Sequence, residues 1–200
     1  MAARDRTLSL HPDLHDTLGT SLQRGITVAV GGPGSGTTPA TAASLALALA
    51  AGPSDGGSWI VAVGMPDLGL VAAAEAGISL ERFALVPRPG KQWVDVVAAL
   101  VDGFDLVLAR PPAHLKVGLA RRLVARARER KTVLIGVGGW PEGASMRIDA
   151  AVNEWAGLGA GPGGGAGHLR SIHRELRTTG RTFRTDRPIF AASSQTVRSA

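Results

Sequence analysis

Short runs of apolar residues recur along the first 140 residues of the chain. Each run is four to six residues long, is apolar at nearly every position, and is bounded by glycine, proline or charged residues. Apolar runs of this length without alternation are typical of strands that are buried on both faces, as in parallel sheets. The predicted strands are Ile26–Val30, Trp59–Val63, Phe83–Val86, Asp105–Ala109 and Thr132–Val137.

Segments with a helical spacing of apolar residues lie between these runs. Leu45 and Leu49 are one turn apart in an alanine-rich segment, and the later segments carry apolar residues three and four positions apart. Strands that alternate with helices predict an α/β fold, with a mostly parallel sheet and helices on both faces. The predicted helices are Thr38–Ala51, Leu68–Ala76, Gln92–Val101 and His114–Arg130.

The pattern changes after Trp140. Residues 146–155 partly alternate between apolar and polar side chains, which is typical of a strand with one buried face. Two more strands are predicted around a turn at Thr178-Thr179-Gly180, so the sequence favours an antiparallel C-terminal extension of the sheet. A helix is the alternative, because the arginines between 170 and 184 would line one of its faces. The predicted elements are the strand Met146–Trp155, the turn Gly157–Gly167 and the strands His168–Arg177 and Arg181–Phe190.

The charged residues are also distributed unequally between the two halves of the chain. The 200 residues carry a formal net charge of +6. Residues 1–100 hold 6 basic and 8 acidic side chains, whereas residues 101–200 hold 16 and 8. A basic half favours an acidic partner, either nucleic acid or an acidic protein surface. We divide the chain into an N-terminal segment (1–20), an α/β core (21–140) and a C-terminal part (141–200) with antiparallel strands and a basic tail.

The composition excludes several classes of protein. The chain contains no cysteine, which excludes disulfide frameworks, thiolate nucleophiles and thiolate metal sites. Its five histidines are not grouped with other residues at the spacing of metal ligands, and we predict no metal site. No apolar run reaches the ~20 residues of a membrane span, and no signal peptide is evident at the start. We therefore expect a cytoplasmic protein.

The clearest motif is a glycine-rich loop between the first predicted strand and the first predicted helix. Glycines let backbone N–H groups converge on phosphate oxygens, and the helix N-terminus adds a favourable partial charge. Against the phosphate-loop pattern G-x-x-x-x-G-K-[ST], Gly31 and Gly36 match the glycines and Thr38 matches the final hydroxyl. Thr37 replaces the lysine that contacts the terminal phosphates. The candidate cofactor-binding residues are Gly31, Gly34, Ser35, Gly36, Thr37 and Thr38, but without the lysine we expect no bound ATP or other cofactor.

Two segments resemble the core ATPase domain of RecA. Residues 22–28, Leu-Gln-Arg-Gly-Ile-Thr-Val, lead into Gly32-Pro33 and are similar to the entry to that domain. Residues 77–86 are similar to the approach to its third strand. The resemblance covers roughly residues 17–140 and implies a RecA-like three-layer sandwich.

The departures from RecA lie at its catalytic positions. RecA-type ATPases end a strand with a magnesium-binding aspartate, where this chain has Arg110. Pro66 stands near the position of the catalytic glutamate, and residues 135–140 lack the Asn-Gln switch. Asp105 lies near the start of its strand and cannot replace the missing aspartate. Phosphoryl transfer needs metal, charge offset and water positioning together, so the sequence predicts that the protein is not an active ATPase.

A RecA-like chain of this length with a broken nucleotide site and basic C-terminal strands is similar to the ImuA family, in particular to its short actinobacterial form, ImuA-prime. Residues 153–159, Asn-Glu-Trp-Ala-Gly-Leu-Gly, carry part of this resemblance. It implies a non-catalytic adaptor in damage-induced mutagenesis, within the SOS response, that supports translesion DNA synthesis. The implied partners are an ImuB-type inactive relative of Y-family polymerases, an error-prone DnaE-type polymerase and RecA, with recruitment to the nucleoid at damage.

Two other functions remain open from the residues. One is a divergent phosphate-loop protein that binds nucleotide or hydrolyses it weakly. The other is a basic DNA-binding accessory protein, although the C-terminal strands have few aromatic residues on which single-stranded bases could stack.

Arginines are concentrated in the last two predicted strands. If His168–Arg177 is a strand, Arg170 and Arg174 share one face and Arg177 lies on the other, so the arginines form no single stripe. Arginine binds carboxylates and phosphates through paired hydrogen bonds. A protein partner, DNA and a merely solvated surface are all consistent with this pattern. The candidate interaction residues are Arg170, Arg174, Arg177, Arg181, Arg184 and Arg187.

Overall fold

The computed structural model describes residues 6–19, 21–159, 166–180 and 184–194. Within these residues, eight strands form one mixed sheet and two short strands form a separate hairpin. The hairpin consists of β1 (Thr7–Ser9) and β2 (Ser21–Gln23). The sheet consists of β3 (Thr27–Val30), β4 (Ile60–Val63), β5 (Phe83–Val86), β6 (Leu106–Ala109), β7 (Val133–Val137), β8 (Met146–Gly159), β9 (Ala166–Gly180) and β10 (Arg184–Ser194).

The sheet has the strand order β10-β9-β8-β3-β7-β6-β4-β5. From β8 to β5 every neighbouring pair runs parallel, whereas β9 runs antiparallel to β8 and β10 runs antiparallel to β9. Parallel neighbours require crossover connections, which the helices supply. This architecture confirms the predicted α/β fold and its C-terminal antiparallel extension.

Helices cover both faces of the parallel strands. Val28 and Val30 of β3 point into a core that contains α2, whereas Ala29 between them points into a core that contains α4 and α5. This alternation follows from the two-residue period of a strand, and it makes three layers. The helices are α1 (His15–Leu18), α2 (Pro39–Asp55), α3 (Leu70–Glu75), α4 (Trp93–Gly103) and α5 (Val117–Arg130).

The N-terminal hairpin packs on the α2 side of the sheet. Leu8 and Leu22 are buried in the same core as α2. Gly52 of α2 makes this approach possible, since a Cβ there would lie 2.5 Å from the carbonyl oxygen of Ser9.

The predicted elements of the core are present with small shifts at their ends. β5 has the predicted bounds, and β3, β4, β6 and β7 each begin one residue later than predicted. The helix predicted from His114 begins only at Val117, because Leu115 N–H bonds the carbonyl of Pro112 in a turn that precedes it.

The C-terminal strands are longer than predicted. β8 continues to Gly159 and β9 begins at Ala166, so the ends of the predicted turn 157–167 are extended backbone. The predicted turn at Thr178-Thr179-Gly180 is wrong, because β9 runs through it. Thr178 is buried opposite Ile148, and a Cβ at Gly180 would lie 2.7 Å from Ser145 O, so this glycine marks a close backbone approach. The strand interpretation of the arginine-rich segment is therefore right, and the helical alternative is wrong.

We call β8, β9 and β10 the antiparallel extension. β8 pairs with β3 only through Met146–Ile148, and the rest of β8 pairs with β9. Since β8 runs parallel to β3 and Ile148 lies opposite Val30, the last residue of β3, β8 continues beyond the carboxyl edge of the parallel strands.

In the part of the chain that the structure describes, no helix combines the length and the apolar character needed to cross a membrane.

Candidate functional site

The glycine-rich loop lies at the carboxyl end of β3, where connections leave the sheet in opposite directions. α2 follows β3 on one face, and α5 follows β6 on the other. In open α/β sheets, ligands bind in the crevice that such a divergence creates. The fold therefore places the loop where a nucleotide would be expected.

The loop depends on left-handed backbone at its glycines. Gly31, Gly32, Gly34 and Gly36 have φ values of 67°, 142°, 77° and 74°, a region that other residues rarely adopt. At Gly32 space is restricted as well, since a Cβ there would lie 2.9 Å from the Arg147 Nη1 atom. The predicted turn chemistry is therefore present in the loop.

The hydroxyl groups of the loop bind the loop itself and the start of α2. Ser35 Oγ donates to Gly32 O over 2.8 Å and accepts from Thr37 N–H over 3.1 Å. Thr38 caps α2, because its Oγ1 atom accepts from Thr41 N–H over 3.1 Å. The hydroxyl that matches the last position of the phosphate-loop pattern thus serves as a helix cap.

The loop is also joined to β8 by three hydrogen bonds, which we call the β8 clamp. Gly31 N–H donates to Ile148 O over 2.8 Å, and Arg147 Nη1 donates to Gly31 O over 3.0 Å. Ala150 N–H donates to the Thr37 Oγ1 atom over 2.8 Å. Thr37, which replaces the lysine, therefore holds the base of the antiparallel extension.

An ion pair lies in the region where the resemblance to RecA-type ATPases implies catalytic carboxylates. Arg110 follows β6, and its Nη1 atom lies 2.5 Å from the Asp67 Oδ1 atom in the turn after β4. The hydrogen bond from Arg110 lowers the pKa of Asp67 below its ordinary value. A guanidinium thus stands in the predicted aspartate position, and the nearby carboxylate is bound to it.

Two tryptophans pack at the same edge of the sheet. Trp93 and Trp140 are buried, with ring centroids 6.2 Å apart and ring planes inclined at 43°. Gly64 allows Trp93 to approach β4, since a Cβ at that glycine would lie 3.1 Å from the indole nitrogen. Both rings belong to the α4–α5 core, as expected for packing residues.

Asp105 lies at the opposite edge of the sheet. Its Oδ1 atom accepts from Arg24 Nη1 over 2.7 Å, and its Oδ2 atom accepts from Trp59 N–H over 2.9 Å. This carboxylate joins the turn after β2 to the amino ends of β4 and β6, at the end of the strands opposite to the glycine-rich loop.

The structure places the candidate arginines on two neighbouring strands. Arg177 is exposed and lies opposite Asp149 in the β8–β9 register. Burial raises the pKa of Asp149, although Arg147 and Arg177 oppose this shift. Arg170 and Arg174 lie in β9, Arg184 and Arg187 lie in β10, and Arg181 lies outside the described residues.

Sequence reasoning missed two residues that shape the site. Asp67 was not recognised as the partner of Arg110, and Arg147 was not connected with the loop. The sequence could have predicted which face of β8 carries Arg147. Its neighbours Met146 and Ile148 are apolar and are buried on the α2 side, so Arg147 points to the other face. Its hydrogen bond to Gly31 joins residues 116 positions apart and has no signal in a single sequence.

The chain matches known proteins in sequence and in fold. The model of the family described as MT3502 N-terminal domain matches residues 17–142. The protein Rv3395c of Mycobacterium tuberculosis is 37% identical in an alignment of 145 residues that covers 70% of this chain and 71% of that protein. The crystal structure of the RadB recombinase superposes with a TM-score of 0.52 at 17% identity, over 90% of this chain and 92% of that chain. The structural match confirms the predicted RecA-like fold.

Proposed function

Because this chain belongs to the MT3502 N-terminal domain family and has a RecA-like fold, we propose that it is a non-catalytic adaptor in damage-induced mutagenesis. It would support translesion DNA synthesis by binding an ImuB-type inactive relative of Y-family polymerases. An error-prone DnaE-type polymerase and RecA are the further proposed partners. The resemblance to ImuA-prime proteins supports this assignment.

One observation supports the proposal that the protein is not a catalyst. Side chains at the crevice where a nucleotide would be expected are bonded to other residues of the same chain. Arg110 binds Asp67, and Arg147 binds the carbonyl oxygen of Gly31. The Thr37 hydroxyl accepts a hydrogen bond from β8. Phosphoryl transfer requires a lysine or metal to offset the phosphate charge, and these positions hold an internal ion pair and a structural hydroxyl.

The antiparallel extension is the proposed adaptor surface. β9 and β10 together carry five arginines and two acidic residues, Glu175 and Asp186. β9 pairs with β8, which carries the β8 clamp, and β10 pairs with β9, so the clamp connects both strands to the core through β8. A basic surface on a fixed support suits an acidic segment of a protein partner.

Copurification with an ImuB-type protein tests the proposal. We expect the chain to bind this protein. We expect Arg177→Glu combined with Arg184→Glu, two positions that the β9–β10 register places on one face, to reduce the retained amount at least about ten-fold, a loss of ~1.4 kcal/mol. Arg122→Glu combined with Arg128→Glu is the matched control, because it makes the same charge change at two exposed positions on α5. Undiminished binding by the double variant, with circular dichroism unchanged, would reject the extension as the adaptor surface.

Two further measurements separate the alternatives. Stabilisation by millimolar magnesium-ATP in a thermal shift assay would support a divergent nucleotide-binding protein instead. Binding to DNA that falls steeply with salt would support a DNA-binding accessory protein. The adaptor proposal predicts neither response.

A further inference from the structure

The two outer edges of the eight-stranded sheet differ in how they are protected. β10 contains Arg184, Asp186, Arg187 and Pro188, and its pairing with β9 is irregular between Thr185 and Ile189. Charge, proline and irregular pairing are the usual protections of a sheet edge against association. The four residues of β5, Phe-Ala-Leu-Val at 83–86, include no charge and no proline and pair regularly with β4, so Arg82 before the strand and Pro87 after it are its nearest such residues.

An apolar surface lies beside the unprotected edge. Leu70 and Val71 of α3 are 49% and 72% exposed, and Ala73 is the one buried residue of that six-residue helix. Leu80, in the turn that leads into β5, is 43% exposed. Three of the large apolar side chains that are exposed in the described residues therefore lie at this end of the sheet. We call α3, the turn 80–82 and β5 the β5 surface.

The charges at the two ends of β5 are arranged for pairing with a second copy of the same strand. Glu81 precedes β5 and Arg88 follows it, both are exposed, and neither forms an ion pair within the described residues. If two β5 strands run antiparallel about a two-fold axis with Phe83 opposite Val86, the amino end of each strand meets the carboxyl end of the other. Each Glu81 then lies near the partner's Arg88, twice per dimer.

We propose that two copies of this chain associate through the β5 surface. The two β5 strands would pair antiparallel into a continuous sheet, and the α3 helices would cover each other's exposed apolar side chains. A two-fold arrangement satisfies both edges at once and cannot extend into a filament. The proposal goes beyond the adaptor function and does not depend on it.

Sedimentation velocity of the full chain tests the proposal. We expect a reversible monomer–dimer equilibrium between about 1 and 100 µM, the range of a small interface. Val71→Glu, at an exposed position, weakens dimerisation at least about ten-fold. Val117→Glu is the matched control, since Val117 is an exposed valine at the start of α5, away from the β5 surface, and this variant still dimerises.

Charge exchange tests the two-fold geometry itself. Glu81→Arg and Arg88→Glu each place like charges opposite one another and weaken self-association several-fold. When these two single variants are mixed, opposite charges face each other at both sites, and a mixed dimer forms with the original affinity. The chain carrying both substitutions also recovers.

Three results would contradict the proposed dimer. A chain that remains monomeric at about 100 µM overturns the proposal. A dimer that is unaffected by Val71→Glu, or a pair of charge variants that fails to recover on mixing, also overturns it, because the interface would then lie elsewhere or have another geometry.

Discussion

The two sides of β3 are built differently. On one side, β7, β6 and β4 are four or five residues long, are buried throughout, and are covered by helices on both faces. On the other side, β8, β9 and β10 have 14, 15 and 11 residues, and β8 pairs with β3 over only three of them. The parallel side is held by its core along the whole length of its strands, whereas the antiparallel extension is attached at its base, through the short pairing, the β8 clamp and the core residues Ile148, Ala150 and Leu176.

This difference gives the glycine-rich loop a role. A loop that binds phosphate leaves its backbone and hydroxyl groups free for the ligand, whereas this loop commits Gly31 and Thr37 to β8. The loop thus serves as an attachment point for the extension.

The largest expected effect tests the parallel side. Leu108→Ala removes a fully buried side chain from the middle of β6. The loss of burial and the cavity that remains reduce the free energy of unfolding by ~2–5 kcal/mol, which urea denaturation measures. Leu70→Ala, at a half-exposed position on α3, is the matched control and changes stability by less than about 0.5 kcal/mol. A small loss at Leu108 would contradict the view that this core holds the molecule.

The next effect tests the attachment. Thr37→Val keeps the shape of the side chain but leaves Ala150 N–H without its acceptor, so stability falls by ~1–2 kcal/mol. Hydrogen exchange at the Ala150 amide becomes faster, while exchange at β6 amides rises only with global unfolding. Thr37→Ser retains the hydroxyl and is the control. If Thr37→Val and Thr37→Ser behave alike, the clamp does not hold the extension.

A smaller effect tests the ion pair on the parallel side. Because Arg110 lowers the pKa of Asp67, the pair stabilises the folded state above the ordinary aspartate pKa, and this contribution is lost as the pH falls through the lowered value. Asp67→Asn therefore reduces the melting temperature at pH 7, by less than about 1 kcal/mol in stability because Asp67 is largely exposed. The difference from the parent chain becomes smaller as the pH falls through the lowered pKa of Asp67. A difference that persists in acid would mean that the asparagine acts through packing.

The smallest effect has the opposite sign and lies on the extension. Burial raises the pKa of Asp149, so its ionised form is disfavoured in the folded state and stability decreases as the pH rises through that value. Asp149→Asn is expected to raise the melting temperature slightly at pH 7 and to leave it unchanged below about pH 3, where the carboxyl is protonated in both states. A decrease at pH 7 would show that the attraction of Arg147 and Arg177 outweighs the burial.

The sequence predicted the parallel side more accurately than the extension, and the reason is physical. Strands buried on both faces are apolar at every position, so β4 and β6 could be located to within one residue. The turn at Thr178-Thr179-Gly180 was predicted wrongly. Gly180 is required because the backbone of Ser145 lies close to it, and a sequence cannot distinguish such a glycine from one that a turn requires.

The site was predictable in its location and not in its contacts. The glycines of the loop predicted its left-handed backbone conformation. The absence of the lysine could be seen from residue 37 alone. The pairing of Arg110 with Asp67 and of Arg147 with Gly31 depends on how strands distant in sequence come together, and local patterns do not encode it. The division of the chain at residues 20 and 140, the adaptor surface and the absence of ATPase activity remain predictions.

The central position of β3 has a consequence for synthesis. β3 ends at Val30, and its two neighbours, β7 and β8, begin only at Val133 and Met146. At ~5–20 residues per second, the ribosome needs about 6–24 s to make the 118 residues from Val30 to Ile148, the last partner of β3 on β8. Both edges of this buried four-residue strand lack partners until β7 is made, and the edge that pairs with β8 lacks one for the whole interval. The oldest strand of the sheet is therefore among the last to be completed, and the nascent chain is most exposed to aggregation and chaperone binding before β8 emerges.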